Sequence, residues 1–282
     1  MKIGHDMRLN KKFQNGKTVL ITGGGSGIGR ELVRRFADDD YAIVVFSLVQ
    51  EELDDLGKEL EAKIGKESFK LYQADLSLTG AAEKVFETCQ KDGLQIDILV
   101  NNAGFAIFGE HVEQSLEKLR NMVSLNIMAL MELSTLFGRD MAKRGSGKIL
   151  NIGSTLGIAP VPYATLYGGT KAFVNTFTVA LGEELRDKGV VVSCMEPYAT
   201  NTKFYETSSE KAAHDSDVTS DEFAEKTKAH DPAMVAKFAY EGLMDGKAII
   251  LPGFQFKMLS WFMRATPTRW MAANLGKTFK EF

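Results

Sequence analysis

The stretch "TVLITGGGSGIGRELV", residues 18–33, runs from an apolar pentad through a cluster of glycines into a segment with helical periodicity. Strand, glycine turn and helix, in that order, suit the pyrophosphate of a dinucleotide. Glycines 23, 27 and 29 allow a tight turn and let the backbone come close to the phosphates. A helix beginning near Ile28 directs its free N–H groups and its dipole at them. The spacing is TGxxxGxG and not GxGxxG, so the general dinucleotide fingerprint fits imperfectly. On these residues alone, a plain structural turn competes with the binding reading.

The context outside this stretch favours binding. From Lys17 onward, short apolar runs alternate with segments of helical period. The runs are "TVLIT" (18–22), "AIVVFS" (42–47), "FKLYQ" (69–73), "IDILVNN" (96–102), "KILNIG" (148–153), "VVVSCME" (190–196) and "KAIILPG" (247–253). Continuous apolar strands separated by helices indicate a parallel sheet covered on both faces. With right-handed crossovers, the simplest arrangement is an α/β, Rossmann-type, doubly wound parallel sheet. One domain is expected over residues 1–282, with a core at 15–253 and a C-terminal helical extension at 254–282. The polar stretch from Glu206 to Asp231 reads as an excursion from the sheet.

Composition narrows the class of function. The chain has 282 residues, 44% hydrophobic and 25% charged, with 34 basic against 37 acidic residues and a formal net charge of −3. That balance offers no concentrated basic face for nucleic acid. Cys89 and Cys194 are far apart and lack CxxC spacing, so neither a disulfide framework nor a metal site is expected. The opening "MKIGHDMRLNKKFQNGK" has no apolar core of a secretory signal, and no run of 18 apolar residues follows. The expected compartment is cytoplasmic.

Chemistry is suggested by "TLYGGTKAF", residues 165–173, where Tyr167 and Lys171 share one helix face at i and i+4. In isolation the pair also fits a core tyrosine beside a solvated lysine. An unperturbed phenol titrates at about 10, too high for a base near neutrality. A nearby ammonium would favour the phenolate. Tyr167 could then donate a proton to a carbonyl or remove one from an alcohol. Ser154, at the end of a predicted strand, could hydrogen-bond the substrate oxygen.

Taken together, these motifs resemble the short-chain dehydrogenase/reductase family. Thr22-Gly23-x-x-x-Gly27-x-Gly29 is similar to its cofactor motif. "AD" at 74–75, "NNAG" at 101–104, Asn126 in "VSLNIMAL", Ser154 in "NIGSTLG" and "YGGTK" at 167–171 follow in its order, over roughly residues 15 to 253. The resemblance implies a catalytic tetrad of Asn126, Ser154, Tyr167 and Lys171, with Asn126 holding a water that links the lysine to solvent. It implies a cofactor set of Gly23, Ser26, Gly27, Ile28 and Gly29 in the loop, with Ser47, Asp75 and Leu76 after the second and third strands. Asn102, Ala103 and Gly104 follow the fourth strand, and Tyr167, Lys171, Pro197 and Thr202 lie toward the nicotinamide. Asp75 would meet the adenine amino group, although it also fits a helix cap, as does Thr202.

Two departures from the family pattern bear on specificity. No Asp or Glu closes "VVFS", which argues against strict NAD preference, yet Leu48 stands where NADP-preferring members usually carry arginine. The expected cofactor is NADP, with NAD possible; Arg30 or Arg34 is a candidate to help hold the phosphate, although both fit solvated helix residues equally well. Tyr198 replaces the glycine that usually follows Pro197, so it needs a permissible backbone and could project toward the nicotinamide.

The loops at the carboxyl ends of the strands carry Phe105, Ile107, Phe108, Leu156, Pro160, Val161, Tyr163, Tyr198 and Phe204. An apolar pocket follows, suited to a hydrophobic ketone or secondary alcohol. The expected reaction is NADPH-dependent reduction of such a ketone. The alternatives are a non-catalytic dinucleotide-binding or redox-sensing protein, and a membrane-peripheral protein acting through its tail. In that tail, Phe256, Leu259, Phe262 and Met263 recur at helical spacing before Pro267, and Trp270, Met271 and Leu275 suggest a second apolar face. A flap over the substrate entrance or a subunit contact is the expected use. Segments 114–142 and 165–188 read as long helices that would pair across a two-fold axis in a homodimer or homotetramer.

Overall fold

The computed structural model describes Phe13, residues 17–200 and residues 229–280. Seven strands form one sheet: β1 (Thr18–Thr22), β2 (Ala42–Ser47), β3 (Phe69–Gln73), β4 (Ile98–Asn101), β5 (Gly147–Ile152), β6 (Val190–Met195) and β7 (Ile249–Ile250). Their order is β3-β2-β1-β4-β5-β6-β7, every pair parallel, with Val19 opposite both Ile43 and Ile98. The order reverses direction between β1 and β4, the switch point where the carboxyl ends of the strands open a crevice.

The sheet is covered on both faces, as continuous apolar strands require. One face packs against α1 (Gly27–Asp38), α2 (Gln50–Ile64) and α7 (Pro232–Met244) through Leu32, Phe36, Leu56, Val235 and Leu243. The other packs against α3 (Ala81–Lys91), α5 (Leu130–Arg144) and α6 (Thr165–Leu185) through Val85, Leu133, Phe137 and Leu185. Phe13 is fully buried in this second core. β1 and β2 are buried along their whole length, whereas the edge strand β3 is only partly covered.

Some boundaries differ from those expected, for local reasons. β4 begins at Ile98 because the Asp97 carboxylate accepts from the Thr18 backbone N–H at 3.0 Å. The run 247–253 shrinks to a two-residue edge strand paired with Cys194 and Met195. The single helix expected at 114–142 is α4 (Leu116–Val123), a π-helical segment at Ser124–Ala129, and then α5. The tail forms α8 (Phe254–Ala265) and α9 (Thr268–Phe279), with Pro267 at the N-cap of α9. Of the polar excursion, Asp231 caps α7 by accepting from the Ala233 N–H at 2.9 Å. Thr202, Phe204 and the stretch 201–228 lie outside the described residues.

Candidate active site

The glycine loop is locked to the segment that follows β4. Thr22 Oγ1 accepts from the N–H groups of Asn102 and Ala103, each at 3.0 Å. Asn102 Nδ2 donates to the carbonyls of Thr22 and Gly23, again at 3.0 Å. Gly23 (φ 64) and Gly27 (φ 54) sit in the left-handed region, where glycine carries no steric cost. A Cβ on Gly29 would lie 2.2 Å from the Gly23 carbonyl oxygen, so helix and loop approach as only glycine permits. Ser26 at the N-cap of α1 makes no side-chain cap, which leaves first-turn N–H groups open toward an anion. The loop therefore fits a pyrophosphate.

The neighbouring region that would take the adenosine differs from the expectation in two ways. Arg30 and Arg34 are not free for a phosphate: both bond Glu59, Arg30 Nη2 at 2.9 Å and Arg34 Nη2 at 2.9 Å. Their hydrogen bonds hold the Glu59 carboxyl down at about 2. Ser47 is buried and Leu48 half exposed, as a coenzyme rim requires. A carboxylate is nevertheless present, because Glu52 on α2 reaches back over the loop. A Cβ added to Gly25 would meet Glu52 Oε2 at 2.7 Å and Ser47 Oγ at 3.3 Å. Asp75 is not a helix cap, since α3 starts after Gly80. Its Oδ1 instead accepts from the Ser77 N–H at 2.9 Å and the Ser77 hydroxyl at 2.6 Å, a side-chain turn beside the buried Leu76.

Ser154, Tyr167 and Lys171 converge at the carboxyl end of β5. All three are buried. Ser154 Oγ accepts from the Leu156 N–H at 3.1 Å, leaving its own proton for another acceptor. Burial pushes the Tyr167 phenol up, and a hydrogen bond with Ser154 pulls it partly back. The Lys171 ammonium donates to the Ile152 carbonyl at 2.7 Å and lies 5.8 Å from the centre of the Tyr167 ring. Burial brings that ammonium down to about 8. Unpaired charge is costly inside a protein, so the free protein keeps a neutral phenol beside a readily deprotonated amine.

Asn126 stands within the π-helical segment, a feature common where a helix carries function. Its amide is committed to the next loop: Oδ1 accepts from the Phe105 N–H at 3.1 Å, and Nδ2 donates to the Phe105 carbonyl at 2.9 Å and to Thr170 Oγ1 at 3.2 Å. A Cβ on Gly104 would lie 3.0 Å from Asn126 Oδ1 and 3.8 Å from Lys171 Nζ. Glycine keeps that corner open.

The sequence reading missed Asn175. One helical turn beyond Lys171, it brackets the serine: Nδ2 donates to the Ser154 carbonyl at 2.9 Å, and Oδ1 accepts from the Ser154 N–H at 3.3 Å. Below it, Asn101 Nδ2 donates to Asn151 Oδ1 at 2.8 Å, and Asn151 Nδ2 donates to Thr178 Oγ1 at 3.0 Å, a buried polar ladder joining β4, β5 and α6. A helix carrying lysine and asparagine at i and i+4 was visible in "KAFVN"; the tie to Ser154 was not.

The pocket wall is apolar where described. Phe105, Ile107 and Tyr167 form one cluster with Phe108 and Leu156 beside it, and Val161 belongs to a second. Pro160 is exposed and does not contribute. Tyr163 (φ 66) holds a left-handed conformation, and its carbonyl accepts from the Gly109 N–H at 2.8 Å. Tyr198 needs no such strain, and its ring lies 5.4 Å from that of Phe256 on α8. From α9, Phe279 stacks on Phe108 at 6.2 Å. The buried Glu196 faces Arg264 of α8 at 3.5 Å. The tail therefore packs on loops at the mouth of the site.

This fold, with a glycine loop at the switch point and a Ser-Tyr-Lys cluster across the crevice, defines a class. A family model described as "short chain dehydrogenase" matches residues 17–213, and the chain belongs to that family, whose members are oxidoreductases acting on CH–OH groups. It is 34% identical over 192 residues to the very-long-chain 3-oxoacyl-CoA reductase-B of Danio rerio, a match covering 67% of this chain and 61% of that protein. The chain thus spans about three fifths of the curated relatives it matches. A short-chain dehydrogenase from Sphingobium yanoikuyae in complex with NADPH superposes with a TM-score of 0.75 at 29% identity, covering 92% of each chain. The bulky-bulky ketone specific alcohol dehydrogenase from Comamonas testosteroni gives 0.71 at 28% identity, covering 89% of this chain and 95% of that one.

Proposed function

We propose that this protein reduces a bulky, apolar ketone to a secondary alcohol with NADPH. The observation that carries this reading is the convergence of three buried side chains beside an apolar wall: Tyr167 lies against Ser154, and the Lys171 ammonium is fixed on the Ile152 carbonyl behind it. A phenol is the proton donor that a ketone needs on reduction. NADPH, seated on the glycine loop, would supply the hydride. Gly23, Ser26, Gly27, Ile28 and Gly29 would hold its pyrophosphate, and Ser47, Asp75 and Leu76 would border its adenosine. Asn102, Ala103, Gly104 and Pro197 would line the path to Tyr167.

Each residue then has a distinct role. Ser154, with its oxygen already accepting from Leu156, directs its proton toward the substrate oxygen and orients it. Tyr167 donates its proton to that oxygen as negative charge develops there. The Lys171 ammonium, fixed on the Ile152 carbonyl, stabilises the phenolate left behind. Asn126 fixes the Phe105 loop, and a water held beside it would link Lys171 to solvent. The apolar wall of Phe105, Ile107, Phe108 and Val161 supports a ketone with large substituents, in keeping with the bulky-bulky ketone specificity of the Comamonas enzyme.

Tyr167→Phe removes the transferable proton and little else. It is expected to lower turnover of aryl, steroid or 3-oxoacyl thioester ketones by about a thousandfold, with NADPH affinity kept within about twofold. Wild-type turnover by this variant would refute the mechanism, and NADPH binding with no ketone reduced by the unmodified protein would favour a redox sensor. A homo-oligomer belongs to the same reading, since α6 exposes Val179 and the π-helical segment exposes Met128. Light scattering that gives a monomer mass at micromolar concentration would remove it.

A further inference from the structure

The tail has two faces with different neighbours. Toward the protein, Phe256, Ser260 and Met263 of α8 recur at i, i+4 and i+7 and are buried, as are Met271 and Phe279 of α9. Away from it, large apolar side chains remain in solvent: Met258 is 60% exposed, Trp261 74%, Phe262 50% and Trp270 54%. Folding has therefore used only one face. The outer face holds most of the exposed large aromatic side chains among the described residues, concentrated on two adjoining helices. Such a patch marks a contact with something other than water.

Charge indicates what that contact is. From residue 254 onward the chain carries Lys257, Arg264, Arg269, Lys277 and Lys280 against a single acidic side chain, Glu281, in a chain whose net charge is −3. Arg264 pairs with Glu196, but Lys257, Arg269, Lys277 and Lys280 are exposed and in no ion pair among the described residues. Lys257 and Trp261 are one turn apart, as are Met258 and Phe262, so basic and apolar groups share the outer surface of α8. A two-fold contact of the tail with its own copy would set these like charges against each other with only Glu281 to offset them. An anionic lipid surface offers both partners at once: acyl chains for Met258 and Phe262, headgroup phosphates for the cations, and the boundary between them for the two indoles. Among the described residues no helix is long and apolar enough to cross a membrane, which makes the contact interfacial.

We infer that the outer face of α8 and α9 docks on an anionic lipid surface, with the inner face still packed on the mouth of the site. The inference rests on the tail alone and is independent of the reaction proposed above.

The chain provides its own probe, because Trp261 and Trp270 are its two tryptophans. Full-length protein is titrated with vesicles of pure phosphatidylcholine and with vesicles containing about 30% phosphatidylglycerol. The expected result is a blue shift of tryptophan emission and co-sedimentation with the anionic vesicles, absent with the neutral ones and about tenfold weaker at roughly 0.5 M salt. The double variants Met258→Ser/Phe262→Ser and Lys257→Glu/Arg269→Glu should each weaken partitioning about tenfold with an unchanged melting temperature. No binding to anionic vesicles would overturn the inference. So would equal binding to both vesicle types, or an emission shift that follows protein concentration without lipid, the last because it identifies a second copy as the occupant.

Discussion

Asn175→Leu tests whether the bracket around Ser154 matters to the chemistry or only to the fold. Leucine has nearly the same shape and neither accepts nor donates. Two hydrogen bonds to the Ser154 backbone, at 2.9 and 3.3 Å, disappear together with a weak one from the Cys194 thiol, and the buried N–H and C=O of Ser154 lose these partners. Net loss of the bonds costs about 1 kcal/mol each, and stranding each backbone group adds roughly 1 kcal/mol or more. A total of about 4 kcal/mol follows, within the 5–15 kcal/mol that a folded protein typically has. In a chain of 282 residues that is a fall in melting temperature of about 8–12 °C. The catalytic consequence should be larger than the thermal one suggests. Once free to relax, Ser154 moves relative to Tyr167, and a displacement near 1 Å costs about a hundredfold in turnover. The control is Thr178→Val, which removes the acceptor of Asn151 Nδ2 lower in the same ladder. It should lower the melting temperature comparably and leave kcat within about threefold, because it does not touch Ser154. The assay is steady-state ketone reduction beside calorimetry on both variants. If Asn175→Leu melts earlier but keeps wild-type kcat, the asparagine is structural and the positioning argument fails.

Two further outcomes follow from the charges of the site. Reduction needs a phenol and an ammonium together; burial raises Tyr167 and brings Lys171 down to about 8. The profile of kcat/KM for reduction should be level near pH 6–7 and fall roughly tenfold per unit above about pH 8, whereas alcohol oxidation should rise with pH; reduction that stays level to about pH 10 would exclude this assignment. Glu52 places a carboxylate over Gly25 and Ser47, near the 2′-phosphate expected there. Removing it with Glu52→Gln should relieve about 1 kcal/mol of repulsion and improve NADPH over NADH roughly fivefold, and an unchanged ratio by fluorescence titration would show that the side chain swings clear.

How much of this was legible in the sequence depends on separation along the chain. The strands were readable because β1, β2 and β6 are buried on both faces and therefore continuously apolar. β7 was overestimated because the apolar run of "KAIILPG" extends past the two residues that pair with β6. The glycine loop was readable because its conformational demands fall on neighbouring residues. Arg30 and Arg34, read as phosphate candidates or as solvated helix residues, are both bonded to Glu59, which comes from a different helix with no periodic relation to them. Glu52 was missed for the complementary reason. A carboxylate was sought at the end of β2, and it arrives from the first turn of the next helix. The π-helical segment around Asn126 adds one residue to a turn without changing the apolar pattern enough to announce itself.

Tyr198 and the tail look like two unrelated departures when read along the chain. In space the Tyr198 ring faces Phe256, and His230 meets the same phenylalanine edge-on at 4.7 Å. A glycine after Pro197 would leave α8 without that seat. The tail is consequently not a portable module: fused to a relative that keeps the glycine, it would dock poorly until a tyrosine was supplied as well. An aromatic residue after the sixth strand and a phenylalanine three residues beyond the "LPG" turn form one compound trait, to be inherited, exchanged or lost as a unit.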